Sequence, residues 1–244
     1  MLKDLPVHML WVSGELSRLA RLSLASFLSN GYRITLWSYE PHRLDGARDA
    51  TAILPLPKQD AANMAYLTSL FRYRVLAEQG GVWADMDIVA LGGDNAMAAR
   101  PLVASEKRRP FRHAVPTVTG QSLTQVTNCF MANPAPRPGD LWHRAVDRVA
   151  ALNPEDRSWE NIGPHMLSDL MLGEGGHGID ILPPELVDPV AWWNVPAFFL
   201  EARDPPSSPF MHMYATIWAR RGVDAEAPFP EASLAGHLWR RFGL

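Results

Sequence analysis

The sequence predicts an α/β fold in which helices flank a mostly parallel central sheet, and three observations carry that prediction. First, a strand-length apolar run, a helical stripe and a second strand-length run succeed one another within residues 7–39. A strand, a helix and a strand in that order form a βαβ unit, whose strands are parallel and whose crossover is right-handed. Second, a further helical stripe at 63–76 closes on Gly80-Gly81 and leads into another apolar run at 82–91. Third, 244 residues that are 47% hydrophobic and 20% charged can bury a large core, which excludes general disorder, collagen and coiled coil.

The elements follow in chain order. Residues 7–12 (VHMLWV) form the first strand, and Ser13-Gly14 punctuates it. From Glu15, apolar residues Leu16, Leu19, Leu22, Phe27 and Leu28 recur near helical spacing until Asn30-Gly31 stops the helix. Residues 32–39 (YRITLWSY) are the second strand, and the proline-rich stretch 40–60 is loop with one short strand. In the next helix Met64, Leu67, Leu70, Phe71, Val75 and Leu76 form one stripe; 82–91 (VWADMDIVAL) is then a single strand carrying two aspartates. Further strands are expected at 102–104 and 126–131, and further helices at 141–152 and 164–172. Beyond residue 183 proline and tryptophan are dense and no period emerges.

Charge and cysteine usage remove several function classes. A net charge of −3 leaves no basic field for a nucleic-acid backbone, so no nucleic-acid partner is expected. Cys129, the single cysteine, cannot build a disulfide framework or a cysteine-rich zinc site. Asp4 and Glu15 interrupt the start of the chain, which does not read as a signal peptide. The most apolar windows, such as 191–200, fall short of the roughly 20 residues a membrane span needs. These features predict a cytoplasmic protein, peripheral to a membrane at most, with residues 1–244 as one domain. Its nucleotide-binding part would cover about 5–95 and its acceptor side and closing segment about 96–244.

Asp85-Met86-Asp87 carries the chemistry. On a strand, side chains at i and i+2 share a face, so both carboxylates would project together. Two ionised carboxylates side by side in an apolar run repel one another unless a cation sits between them, and a divalent metal is the natural partner. With 15 aspartates in the chain, chance alone supplies about one Asp-x-Asp. The weight therefore rests on context: a helix with Arg72 and Tyr73, the Gly80-Gly81 stop, and Trp83 just before the pair.

Residues 68–91, TSLFRYRVLAEQGGVWADMDIVAL, resemble the signature of the DXD-containing, sugar-nucleotide-dependent glycosyltransferases of the Och1-like mannosyltransferase and toxin-glucosyltransferase type. Upstream, Leu10-Trp11 and YRITLWSY are similar to that family's opening nucleotide-binding unit. Downstream, Asn128-Cys129-Phe130, Gly163-Pro164 and residues 209–234 resemble later landmarks, including a closing segment with a histidine. The resemblance implies a GT-A fold and transfer of a hexose, with retention, from a UDP- or GDP-hexose to a hydroxyl acceptor. The acceptor would be a surface polysaccharide, a lipid-linked sugar, a small molecule or a protein. It also implies Mn²⁺ or Mg²⁺, which suits carboxylates plus one imidazole. In the roles so implied, Asp87 is the direct metal ligand, Asp85 holds the ribose or a metal-bound water, and His212 completes the metal site. Arg72 would position the donor, Trp11 and Trp83 would stack, and Ser233 would touch the diphosphate. Ser69 stands where the family usually has an aspartate that reads donor-sugar hydroxyls, which implies a different sugar preference. His212-Met213-Tyr214-Ala215 replaces a His-Leu-Trp-Asn closing motif, and Gly236-His237-Leu238-Trp239 is its competitor.

Other readings of the same residues remain beside this one. Asp85 through Val89 also fits the Asp-x-Asp-x-Val start of haloacid-dehalogenase-like phosphohydrolases, which need a later lysine, and only Lys3, Lys58 and Lys107 are available. A catalytically idle sugar-nucleotide-binding protein is the third. Asp60 or Glu78 could stand in for the carboxylate missing at Ser69, and Ser233 could simply cap a helix at Leu234. His8, His113, His165 and His177 read as structural or solvent-facing.

Overall fold

The computed structural model describes residues 1–56, 64–93, 97, 99–107, 125–173, 176, 178–200, 204–224 and 226–244. Lys58, Asp60, His113 and His177 lie outside them. The first strand, β1 (Pro6–Leu10), is followed by helix α1 (Arg18–Ser29) and strand β2 (Arg33–Ser38), and β1 and β2 pair in parallel from Pro6 against Arg33 to Leu10 against Trp37. The expected βαβ unit is therefore present. Its helix starts three residues later than the apolar spacing suggests, because the Ser17 hydroxyl accepts the Ala20 amide and so sets the N-cap.

After β3 (Arg48–Asp49) comes the long helix α2 (Met64–Glu78), which ends at Gly80 and Gly81, both at positive φ. A Cβ on Gly81 would lie 2.6 Å from the Pro6 carbonyl oxygen, so this turn is pressed directly against β1. Strand β4 (Gly81–Ala84) then runs parallel beside β1, with Val7 opposite Val82 and His8 opposite Trp83.

Here the structure departs from the single strand expected over 82–91. The Asp85 amide makes a last rung to the Cys129 carbonyl at 2.9 Å, and the Ile88 amide closes a tight turn onto the Asp85 carbonyl at 3.0 Å. The chain then leaves the main sheet and re-forms as β5 (Ile88–Ala90), which pairs with a different partner. The flanking strands are fully buried, and two carboxylates cannot stay in such a strand without partners. The turn carries them out of it. Asp85 and Asp87 therefore owe their proximity to a turn, not to alternation along one strand.

The remaining elements are β6 (Leu102–Glu106), β7 (Gln125–Asn133), α3 (Leu141–Ala150), α4 (Trp159–Ile162), α5 (Pro164–Leu172), β8 (Asp180–Ile181), α6 (Pro184–Val187), α7 (Ala197–Leu200), β9 (Phe210–His212), α8 (Ala215–Arg220) and α9 (Leu234–Arg241). The main sheet has seven strands in the order β3-β2-β1-β4-β7-β6-β8. β3, β2, β1 and β4 are mutually parallel, β7 is antiparallel to both β4 and β6, and β8 is parallel to β6. The fold is thus α/β with a mostly parallel sheet flanked by helices.

One core lies between the sheet and α2, α3 and α5, where Phe71, Leu76, Trp142 and Leu167 are buried. A second gathers Val7, Phe27, Phe130 and Phe210. A third, around Trp218, Phe198 and Leu238, joins the closing helices to β5 through Val89 and Leu91. Among the described residues no helix is long and apolar enough to cross a membrane.

Candidate functional site

In open α/β sheets ligands gather at the carboxyl ends of the strands, where the strand order reverses. Asp85 directly follows the carboxyl end of β4, and a cavity of about 720 Å³ opens there between α2, the α4–α5 segment and the segment that follows β9. Asp85, Asp87, Arg72, Ser69 and His212 all line it.

Arg72 reaches the cavity floor from α2 and is 8% exposed. Its Nη1 lies 3.0 Å from the Asp85 Oδ1 and donates to the Asn128 carbonyl at 2.8 Å, while Nε donates to Thr68 O one helical turn back. The guanidinium also sits over the Trp83 ring, 5.3 Å from its centroid. Trp83 donates its indole N–H to Asp85 Oδ1 at 2.7 Å. Asp85 is therefore an acceptor held by two donors. Burial pushes its carboxyl above the usual carboxylate range, with the Arg72 charge opposing and Asp87 reinforcing the rise.

Asp87 is gripped from the other side. Its Oδ2 accepts the Ala215 amide at 2.8 Å and lies 3.4 Å from His212 Nε2, while its backbone carbonyl accepts the Met213 amide at 2.9 Å. Burial would raise this carboxyl, but the His212 charge and the hydrogen bonds to the carboxylate, the Ala215 amide among them, outweigh it and leave Asp87 below its ordinary value. For His212 burial acts downward, and the Asp87 charge, together with Cys129 and Asp188, lifts the imidazole well above its usual range. His212 also meets Asp188 through Nδ1 at 2.9 Å. Cys129 lines the cavity as well, with its thiol pushed up to about 12 by burial and the nearby Asp188.

The other expected site residues are placed differently. Trp83 is 2% exposed and lies in the core beneath Arg72, so its face is not open to a ligand. Trp11 packs against the second core and does not line the cavity. Ser233 accepts the Gly236 amide and donates to the Pro230 carbonyl, which makes it the N-cap of α9, away from the cavity. His237 sits on α9, also away from it. Lys107 lines the cavity with its ammonium 3.5 Å from Glu185. Trp159, 45% exposed on α4, and the half-buried Trp192 line it, as does the buried Tyr214.

Asp188, and the roles of Tyr214 and the Ala215 amide, are not evident in the sequence. Asp188 lies in a proline-rich stretch with no period, 24 residues before His212, and only folding brings the two together. The glycines and prolines around it mark turns but give no hint of which side chain turns inward.

The chain matches no family profile and no curated protein. Among solved structures it is similar to the PaToxG glycosyltransferase, with 14% identity and a TM-score of 0.49 over 70% of each chain. It is also similar to a glycosyltransferase involved in the glycosylation of the major capsid of PBCV-1, with 10% identity and a TM-score of 0.43 over 88% of this chain and 96% of that one.

Proposed function

We propose that this chain is a metal-dependent glycosyltransferase of GT-A type that moves a hexose, with retention, from a nucleoside-diphosphate sugar to a hydroxyl acceptor. The observation that carries the reading is the cavity floor, where Arg72–Asp85 and Asp87–His212 meet at the carboxyl end of β4.

The residues fit a hard divalent cation. The 3.4 Å between His212 Nε2 and Asp87 Oδ2 is long for a hydrogen bond. It is a separation that two ligands of one ion span with bonds of about 2.1 Å. Cys129, Asp188 and His212 also lie together, their ligand atoms within 4.8 Å of one another. That softer set suits such a cation poorly, because a thiol is a soft ligand and His212 Nδ1 already faces Asp188.

Asp87 and His212 would hold the metal directly, and Asp85, fixed by Arg72 and Trp83, would accept from a ribose hydroxyl or a metal-bound water. The cation, when bound, stabilises the charge that develops on the departing diphosphate. Arg220, exposed on α8 at the cavity wall, would add a positive charge on the side of the same group. Trp159 and Trp192 would supply the stacking surface, a part the family resemblance implies for Trp11 and Trp83. Ser69, 3% exposed on the cavity wall, would face the donor sugar with a neutral hydroxyl.

Incubation with a panel of UDP- and GDP-hexoses and Mn²⁺ tests the reading. One or more donors should be bound and slowly hydrolysed, and Asp87→Asn should abolish the metal-dependent part of binding. Hydrolysis of a generic phosphate ester with no donor bound or cleaved would favour the phosphohydrolase instead. Donor binding without any cleavage, even with acceptors present, would favour an idle binding protein.

A further inference from the structure

Asp188 is fully buried, and nothing in the reaction as described above uses it. Its place is set by α6, whose last turn it closes through its amide to the Pro184 carbonyl at 2.7 Å. Oδ1 then meets two groups of the closing segment: Nδ1 of His212 at 2.9 Å and the hydroxyl of Tyr214, which donates to it at 3.0 Å. Oδ2 is buried with no hydrogen-bond partner among the described residues. A buried carboxylate with one oxygen unpaired is costly, so the groups on Oδ1 must hold it strongly.

The second observation is the backbone between those groups. Tyr214 has φ 56 and ψ 54, the single positive-φ non-glycine among the described residues. A bulky aromatic adopts this left-handed conformation only where its surroundings enforce it. The conformation turns the chain so that the next amide, Ala215 N–H, points at Asp87 Oδ2. The rings of His212 and Tyr214 lie against one another with centroids 4.0 Å apart, so both side chains converge on the one carboxylate.

We propose that Asp188 is the positioning residue of the site: by holding His212 at Nδ1 and Tyr214 at its hydroxyl, it sets His212 Nε2 and the Ala215 amide against Asp87. A proton on Nδ1, shared with Asp188, leaves Nε2 as the nitrogen that faces the metal position, and the ring cannot rotate away without breaking a buried bond. The inference rests on the reading of Asp87 and His212 as the pair that would hold a divalent cation.

The test compares the wild type with Asp188→Asn and Tyr214→Phe, each first checked for an intact fold by near-ultraviolet circular dichroism. Mn²⁺ affinity is measured without nucleotide from the paramagnetic signal of the free ion. The His212 imidazole is read in the metal-free proteins by long-range ¹H–¹⁵N correlation at one fixed pH. In the wild type Nδ1 should carry a proton with a strongly downfield signal. Asp188→Asn should move that signal upfield and weaken Mn²⁺ binding about 10- to 100-fold, and Tyr214→Phe should do the same in a smaller degree. A folded Asp188→Asn protein with wild-type affinity and an unchanged imidazole spectrum overturns the proposal, as does a wild-type Nδ1 without a proton. Should Asp188→Asn not fold, Tyr214→Phe decides by the same two readings. A thiolate absorption band on Co²⁺ addition would put the metal on Cys129 and Asp188, and so would also overturn it. If the wild type takes up no Mn²⁺, the metal reading fails by itself and the imidazole spectra alone decide whether Asp188 orients His212.

Discussion

Acid should destabilise this protein through His8, a residue that is nowhere near the surface. It lies on β1, 2% exposed, and its Nδ1 accepts the Trp37 indole N–H at 3.1 Å, which requires a neutral ring. Burial pushes its pKa down from 6.5 to about 4. As pH falls below about 6.5 the unfolded chain takes up a proton that the folded chain refuses, so stability is lost across the window between 6.5 and about 4 and is level above it. A shift of that size corresponds to about 3 kcal/mol over the full window, and about 2 kcal/mol is already gone at pH 5. Against a typical domain stability of about 5–15 kcal/mol, that loss is large. Urea unfolding of the wild type and of His8→Gln at pH 7 and pH 5 measures it. Carboxylates held below their ordinary values, such as Asp49 and Asp140, contribute equally to both proteins and cancel in the comparison. The wild type should lose about 2 kcal/mol more than the variant between the two pH values, and an equal loss in both proteins would refute the argument.

Three further perturbations have definite outcomes. Gly81→Ala should destabilise by more than the roughly 1 kcal/mol typical of a strained backbone site, because φ is +89 and the new Cβ would meet the Pro6 carbonyl oxygen at 2.6 Å; thermal unfolding reads it. Trp159→Ala should leave stability nearly unchanged, since the ring is 45% exposed, yet weaken nucleotide-sugar binding by about 1–3 kcal/mol, measured by calorimetry. Ser69→Asp should reorder the donor panel more than it changes nucleotide affinity, because a carboxylate there would accept hydrogen bonds worth about 1.5–3 kcal/mol from sugar hydroxyls; an identical ranking in both proteins would show that position 69 does not read the sugar.

Much of the sheet was legible because its signals are local. The 7–39 βαβ unit, the Gly-Gly stop after α2 and the strands now seen as β6 and β7 all announce themselves through apolar runs and turn residues. The break at Asp85 was not, since an apolar run on either side of two aspartates looks like one strand until the Cys129 carbonyl and the β9 partner are known. The same distinction separates the site residues. Arg72, Asp85 and Asp87 lie within one short segment whose spacing carries information, whereas Asp188 meets His212 only through the packing of α6 against β9. Trp11 and Ser233, residue types suited to a ligand, pack against the second core and cap α9.

The pairing of β5 with β9 spans only three residues on each side, Ile88 with His212 to Ala90 with Phe210, and it lies outside the seven-stranded sheet. The contacts of the closing segment with Asp87 continue directly from that short ribbon, which joins positions 120 or more residues apart and is backed by the third core. A ribbon of so few rungs, outside the main sheet and joining distant parts of the chain, should form late and open before the main sheet does. Amide hydrogen exchange should then find Val89 and Met211, whose amides belong to this ribbon, exchanging through a cheaper opening than Val7 or Val82. The chain would thus have a state in which the large sheet is intact while the cavity floor is dismantled, and the fraction of molecules able to act at any moment would be set by the free energy of opening that ribbon together with the third core packed on it.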